Sequence, residues 1–282
     1  MISNKENEIL LTHYQKFRQI IEDFTIMSDT FMRNVLKKKE CAEYVIQVIM
    51  GQKDLKVISV IVQQDNKNMQ GRSVTLDCVA QDAEGRRFDV EVQQKSNGAS
   101  PKRSRYHSSI LDSNTLNPSE DFDQLPESHV IFITEEDVLG HGLAIYHITR
   151  TIAETKEHFG DQSHIIYVNS QIQDDTELGR LMHDFHCRNA EEMYSKILAD
   201  RVRELKETQE GVDSMCIEME KLYNEGKEEG REEGKREVAY NLADRGMSAE
   251  DIAQVVQVDI RLVNEWLSGY SSTEKESLCQ VF

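Results

Sequence analysis

LDCVAQDAEG (76–85) runs directly into RRFDVEVQQK (86–95), and this continuous stretch decides the fold. Val90 and Val92 alternate with Asp89, Glu91, Gln93 and Lys95. At the period of two that a strand imposes, the four polar residues share one face and Phe88, Val90 and Val92 share the other. Asp82, Glu84 and Gly85 supply turn chemistry, so the stretch reads as a β-hairpin with Asp77 on the first strand and Glu91 on the second. A strand that merely faces water has no need of so strict a pattern. A hard divalent cation does, because it requires several oxygens converging from rigid neighbouring strands.

Working outward, the N-terminal region carries three helical patterns. Residues 5–22 space Ile9, Leu10, Phe17, Ile20 and Ile21 at helical intervals. Ser28 or Asp29 caps a second helix through Phe31, Met32, Val35 and Leu36. A third, over about 40–51, puts Ala42, Val45, Ile46 and Ile49 on one face and ends at Gly51. Strands follow near 55–63, 73–81 and 86–94. Ser100-Pro101 opens a helix near 101–112, with proline in the first turn where its missing donor does no harm. The run at 129–134 is apolar on both faces, as a buried strand is, and 143–152 and 164–169 read as further strands. The fold class is α/β, with a central sheet flanked by helices.

Beyond residue 174 the chain turns helical. Leu178, Leu181, Met182 and Phe185 form one stripe, and a second helix starts near 190. Residues 211–237 are a charged helical tract in which Gly226, Gly230 and Gly234 fall four apart, on nearly one face. Each interior glycine costs about 1 kcal/mol relative to alanine. The tract therefore reads as a weak linker helix or as a small-residue face for close approach of another helix. Residues 238–270 form a small helix-turn-helix-like unit: a helix over 238–245 ended by Gly246, a Ser248/Asp251 capping pair, and a last helix capped by Asp259. Its acidic residues outnumber Arg245 and Arg261, so packing or self-association outweighs DNA reading. The expected organisation is 1–210, a linker over 211–237, the unit at 238–270, and a tail over 271–282.

The 282-residue chain is 38% hydrophobic and 30% charged, with a formal net charge of −18. That length supports one sizeable core plus an appendage. The longest apolar runs, such as VISVIV (57–62), are strand-length and too short to cross a bilayer. Five scattered cysteines with no CxxC pair, and an N-terminus without a basic start and apolar stretch, point to a reducing cytoplasmic compartment. An acidic body can grip phosphates only through a local basic patch. The candidate clusters are Lys37–Lys39, Arg86 with Arg87, and Lys95 with Lys102, Arg103 and Arg105. His183, Asp184, His186 and Cys187 suggest zinc, but His186 and Cys187 are neighbours pointing apart and no second ligand pair follows. No GxxxxGK[ST] or GxGxxG motif supports nucleotide-driven chemistry.

An aspartate on one strand followed on the next by Glu-x-Gln resembles the PD-(D/E)XK nuclease superfamily, in particular its Rpn-type branch, the nuclease family transposases. FTIMSDTFMRNVLK (24–37), GRRFDVEVQQ (85–94), KRSRYHSSILD (102–112), HVIFITEEDVLG (129–140) and HIIYVNS (164–170) carry the likeness, which spans roughly 24–210. It implies a restriction-endonuclease-like core with a mixed central sheet, a C-terminal helical extension, and a metal-dependent DNA endonuclease associated with recombination or mobile elements. Asp77 and Glu91 would hold Mg²⁺ or Mn²⁺, with the Val92 carbonyl as a third ligand and waters completing the shell. Where the superfamily has lysine this chain has Gln93, which orients water by hydrogen bonding but brings no charge. Lys95 is the first candidate for the compensating cation and Arg103 the second; Lys102, Arg103 and Arg105 face DNA. Asp89 is a supporting or solvated neighbour, and Asp29 is either an N-cap or aimed at the metal. The competing reading is a nuclease fold without chemistry that serves interaction, with the C-terminal helices joining copies of the chain.

Overall fold

The computed structural model describes residues 4–66, 74–94, 96–117 and 119–270. The chain divides into two compact units, Met1–Met215 and Cys216–Phe282. In the first, helices α1 (Asn4–Asp23), α2 (Asp29–Leu36) and α3 (Lys39–Met50) precede strands β1 (Val57–Asn66), β2 (Val74–Asp82) and β3 (Arg87–Gln93). A 3₁₀ turn over Ser96–Ala99 leads into α4 (Pro101–Ser113), followed by β4 (Ser128–Thr134), β5 (Ile145–Ile148) and β6 (Ser163–Asn169). Helices α5 (Glu177–His186) and α6 (Lys196–Glu207) complete this unit, and the division falls within α7 (Gln209–Ala243).

The six strands form one mixed sheet in the order β1-β2-β3-β4-β6-β5. β1, β2 and β3 are antiparallel neighbours, β3-β4 and β4-β6 are parallel, and β5 closes the far edge antiparallel to β6. Gly85 turns the β2–β3 hairpin at φ +86°, where a side chain would be strained. On one face, Leu111 of α4 packs with Leu76, Val79, Val130, Phe132 and Tyr167. Strand alternation turns His129, Ile131 and Ile133 to the other face. β4 is buried along its whole length, in keeping with its parallel neighbours.

Several boundaries differ from the sequence reading. The helix expected from 190 begins at Lys196, because Ser195 caps it by accepting from the Leu198 amide; residues 190–192 make a 3₁₀ turn. The strand expected over 143–152 shrinks to Ile145–Ile148, where β6 offers it a ladder. Ser28 holds the N-cap position of α2 without a side-chain cap bond, and Asp29 lies inside the first turn, paired with Arg33 at 3.3 Å. The side chains of Ile9 and Leu10, the residue Lys95 and the 271–282 tail lie outside the described residues. A feature with no sequence signal is Lys206, whose ammonium donates to the carbonyls of Glu22, Phe24 and Arg188 at 3.0, 2.6 and 2.7 Å. Burial pulls its pKa down to about 8.

In the second unit α7 is continuous through Ala243, so the separate helix expected over 238–245 is its end. Ala239 packs with Ile252, Ala253 and Val256 of α8 (Ala249–Val256) and with Val263 of α9 (Ile260–Ser268). Ser248 and Asp259 cap these two helices, accepting from the Asp251 and Arg261 amides. A Cβ built on Gly226, Gly230 or Gly234 would meet nothing within 4 Å. No helix among the described residues is long and apolar enough to cross a membrane.

Candidate metal centre and nucleic-acid interface

β2 pairs with β3 from Gln81↔Arg87 to Cys78↔Val90 and no further. β2 continues along β1 to Val74, while β3 continues along β4 to Gln93↔Thr134. The two strands therefore part at Asp77 and Glu91, which the same register would place opposite each other. Here a side chain replaces the ladder: the Asp77 amide donates to Glu91 Oε1 at 2.8 Å. The fork brings the Asp77 main chain against the Glu91 carboxylate, while the Asp77 side chain is 3.9 Å from Arg33.

Asp89, one pleat before Glu91, points the same way and is fully buried, which removes the solvated reading. On α4, Ser100 caps by accepting from the Arg103 amide and Pro101 fills the first turn. Tyr167 holds this end of the helix by donating to the Ala99 carbonyl at 2.8 Å, with Ser104 Oγ at 3.0 Å. That anchoring aims Arg103 and His107, one turn apart, at β3. His107 Nδ1 lies 3.3 Å from Asp89 Oδ2 and 3.6 Å from Glu91 Oε1. Arg103 Nε donates to His107 Nε2 at 3.3 Å, and its Nη2 is 4.0 Å from Glu91 Oε2. From α2, Arg33 bridges Asp29 at 3.3 Å and Asp77 at 3.9 Å.

Asp77, Asp89 and Glu91 each have their pKa pushed up to about 8, in every case by burial first. The second cause is a neighbouring carboxylate: Glu91 for Asp77, Asp77 for Asp89 and Asp89 for Glu91. Burial also lowers the His107 pKa, so its ring is neutral. Asp89 Oδ1 and Glu91 Oε2 are buried with no hydrogen-bond partner. Two orphaned acceptors in a dry, acidic pocket beside a neutral imidazole fit a divalent cation, which would supply both missing partners. Asp89, Glu91 and His107 have ligand atoms within 4.8 Å of one another.

Gln93 ends β3, and a Cβ on Gly98 would overlap its carboxamide oxygen, so the 3₁₀ turn braces that side chain. Lys102 and Arg105 are exposed, three apart on α4. In the other basic clusters Lys38 pairs with Glu204 at 3.0 Å, Arg86 with Asp82 at 2.6 Å, and Arg87 donates to Thr115, while Lys37 and Lys39 are exposed. His107 was missed in the sequence, although its i+4 spacing from Arg103 on a helix facing the active strand was a usable signal. Arg33 had none, because its contact crosses between elements far apart in the chain.

In the histidine-cysteine cluster His186 and Cys187 point apart, as sequence neighbours were expected to. Cys187 Sγ meets His183 Nδ1 at 3.4 Å, whereas His186 turns away to Ser170 Oγ at 2.9 Å. Asp184 is occupied, accepting from the Tyr194 and Ser195 amides at 2.7 and 2.8 Å.

Among known proteins, the model of the family described as PD-(D/E)XK nuclease family transposase matches residues 31–178, just over half of the chain. No curated protein and no solved structure matches significantly.

Proposed function

Since the chain belongs to the PD-(D/E)XK nuclease family transposases, we propose that it is a divalent-metal-dependent endonuclease that hydrolyses phosphodiester bonds in DNA, acting in recombination or on mobile elements. The observation that carries this reading is the pair of unpartnered, buried carboxylate oxygens on Asp89 and Glu91. Glu91, Asp89 and Asp77 hold Mg²⁺ or Mn²⁺, with His107 alongside. When bound, the ion supplies Lewis acidity toward a phosphate oxygen and a water of lowered pKa.

The chain's own residues do the rest. Gln93, braced at Gly98, orients a water by hydrogen bonding. Arg103 brings positive charge to the mouth of the pocket, where a phosphate oxygen gains negative charge. Lys102 and Arg105 grip flanking phosphates, a local basic patch on an acidic protein. Lys95, two residues after Gln93 in the sequence, is assigned to the same work. The C-terminal unit at 238–270, joined through the 211–237 tract, packs copies of the chain together, in a cytoplasmic protein.

The test is nicking of supercoiled plasmid with Mg²⁺ or Mn²⁺ by the parent chain, Asp77→Asn and Glu91→Gln. Glutamine keeps an acceptor for the Asp77 amide, so the variant isolates charge from architecture. Metal-dependent nicking abolished in both variants supports the reading. No nicking by the parent chain, or equal nicking by the variants, replaces it with an interaction role for a nuclease fold.

A further inference from the structure

The other face of the sheet, at the opposite end of the parallel strands, holds a second group of donor atoms. Register pairs Phe88, His129 and His164 side by side across β3, β4 and β6. The rings stack in that order, with centroids 5.0 Å apart for Phe88–His129 and 4.8 Å for His129–His164. Glu127 lies two residues before His129, so it shares that face. Its carboxylate Oε1 is 3.2 Å from His129 Nε2 and 3.2 Å from His164 Nε2. The Glu127 backbone is fixed, because its carbonyl accepts from the Arg87 amide at 2.9 Å.

His129 is 4% exposed, and neither of its ring nitrogens has a hydrogen-bond partner. The 3.2 Å approach to Glu127 therefore lacks hydrogen-bond direction. Burial holds the His129 pKa down to about 3, so the ring is neutral. A buried imidazole with no partner destabilises the fold unless something supplies one. Donors around one tetrahedral ion point at the ion and not at each other. With metal–ligand bonds of about 2.0–2.1 Å, the donors sit about 3.3 Å apart, close to the separations seen here.

We propose that Glu127, His129 and His164 form a second metal site, for one divalent transition-metal ion of the Zn²⁺ class, with water in the remaining position. Two imidazoles and one carboxylate select such an ion over Mg²⁺. The rings lie 17° from parallel, so His164 turns about its own axis to meet the ion. Its side chain is 31% exposed and has room to do so, whereas His129 is held in the stack. Arg86, over the Phe88 ring at 5.8 Å, is neutralised by Asp82 and does not bar a dication. The ion pins the starts of β4 and β6 to the segment that precedes β4.

The test is a Co²⁺ titration of the full, chelator-stripped chain, read by the visible d–d absorption of a tetrahedral or five-coordinate complex, then displacement by Zn²⁺. Variants are His164→Ala and Glu127→Gln, both at partly exposed positions, with Asp89→Asn/Glu91→Gln and Cys187→Ser as controls for the other clusters. One equivalent that gives these bands should bind to the parent chain and to both controls, whatever further Co²⁺ the Asp89 and Glu91 carboxylates take up. Either site variant should weaken binding by at least about tenfold, since even outer-shell changes cost 10–100-fold. Absence of the bands, bands that persist in both site variants, or bands lost in either control would overturn the assignment.

Discussion

Glu91→Gln should make the metal-free protein more stable at alkaline pH. Asp77, Asp89 and Glu91 sit together in the fold with pKa values near 8, against about 4 in an unfolded chain. A raised carboxylate pKa means that the folded state keeps protons the unfolded state has lost. The associated stability is fully present below about pH 4 and is lost as pH rises through about 8. The slope is about 1.4 kcal/mol per pH unit for each proton so retained. Counted for one of these carboxylates, which keeps most of its proton between pH 6 and 8, the loss is roughly 2–3 kcal/mol. At about 2–4 °C per kcal/mol for a unit of this size, the Tm falls by about 4–12 °C. Glutamine keeps the acceptor for the Asp77 amide, removes one charge, and offers Asp89 a donor. Thermal unfolding in chelator at pH 6, 7 and 8 should show a shallower fall for Glu91→Gln and a higher Tm than the parent chain at pH 8. Self-repulsion of a chain with net charge −18 acts on both proteins alike, so the difference between them is the quantity to read. Parallel slopes, or a variant less stable at pH 8, would refute this account of the pocket.

Mn²⁺ should raise the Tm of the parent chain more at pH 8 than at pH 6, because it displaces protons from the same carboxylates; Asp89→Asn should lose most of that gain in the same assay. With an imidazole beside the oxygens, Mn²⁺ should support faster plasmid nicking than Mg²⁺, and His107→Phe should narrow the difference between the two metals. Lys102→Ala and Arg105→Ala should each weaken DNA binding across sequences and flatten the salt dependence by about one unit in a titration of affinity against ionic strength. Gly98→Ala should displace the Gln93 carboxamide and lower nicking about tenfold or more with the fold intact by circular dichroism. Lys206→Met should cost about 1–3 kcal/mol in urea unfolding, since it leaves the carbonyls of Glu22, Phe24 and Arg188 without that donor.

Much of this was legible in the sequence because two periodicities do most of the positioning. Strand alternation put Asp89 and Glu91 on one face, and the turn at Gly85 fixed which residue of β2 Glu91 would meet. The Ser100-Pro101 start put Arg103 in the first turn of α4. What escaped was set by packing between distant elements. Burial of Asp89 depends on α4 closing over β3, and the local pattern is equally compatible with solvent. His107 shows only in the turn above Arg103, once the helix is known to face the carboxylates. The helix expected from 190 slid to 196 because Asp184 captures the Tyr194 and Ser195 amides, a long-range bond with no local signature. Continuity of α7 overrode the three glycines.

The bond from the Asp77 amide to Glu91 Oε1 gives that glutamate a second occupation. It terminates the β2–β3 pairing, standing in for a main-chain carbonyl where the strands separate. On the proposed function, a relative that did not cut DNA would still need an acceptor there, and glutamate or glutamine would both serve. The presence of this carboxylate in a sequence is thus a record of architecture as much as of catalysis. Asp89 accepts no such backbone bond among the described residues: its Oδ2 faces His107 Nδ1 at 3.3 Å and its Oδ1 has no partner, which on the proposed function leaves that oxygen for a cation. When relatives of this chain are sorted into cutters and non-cutters, Asp89 is the residue to sort by.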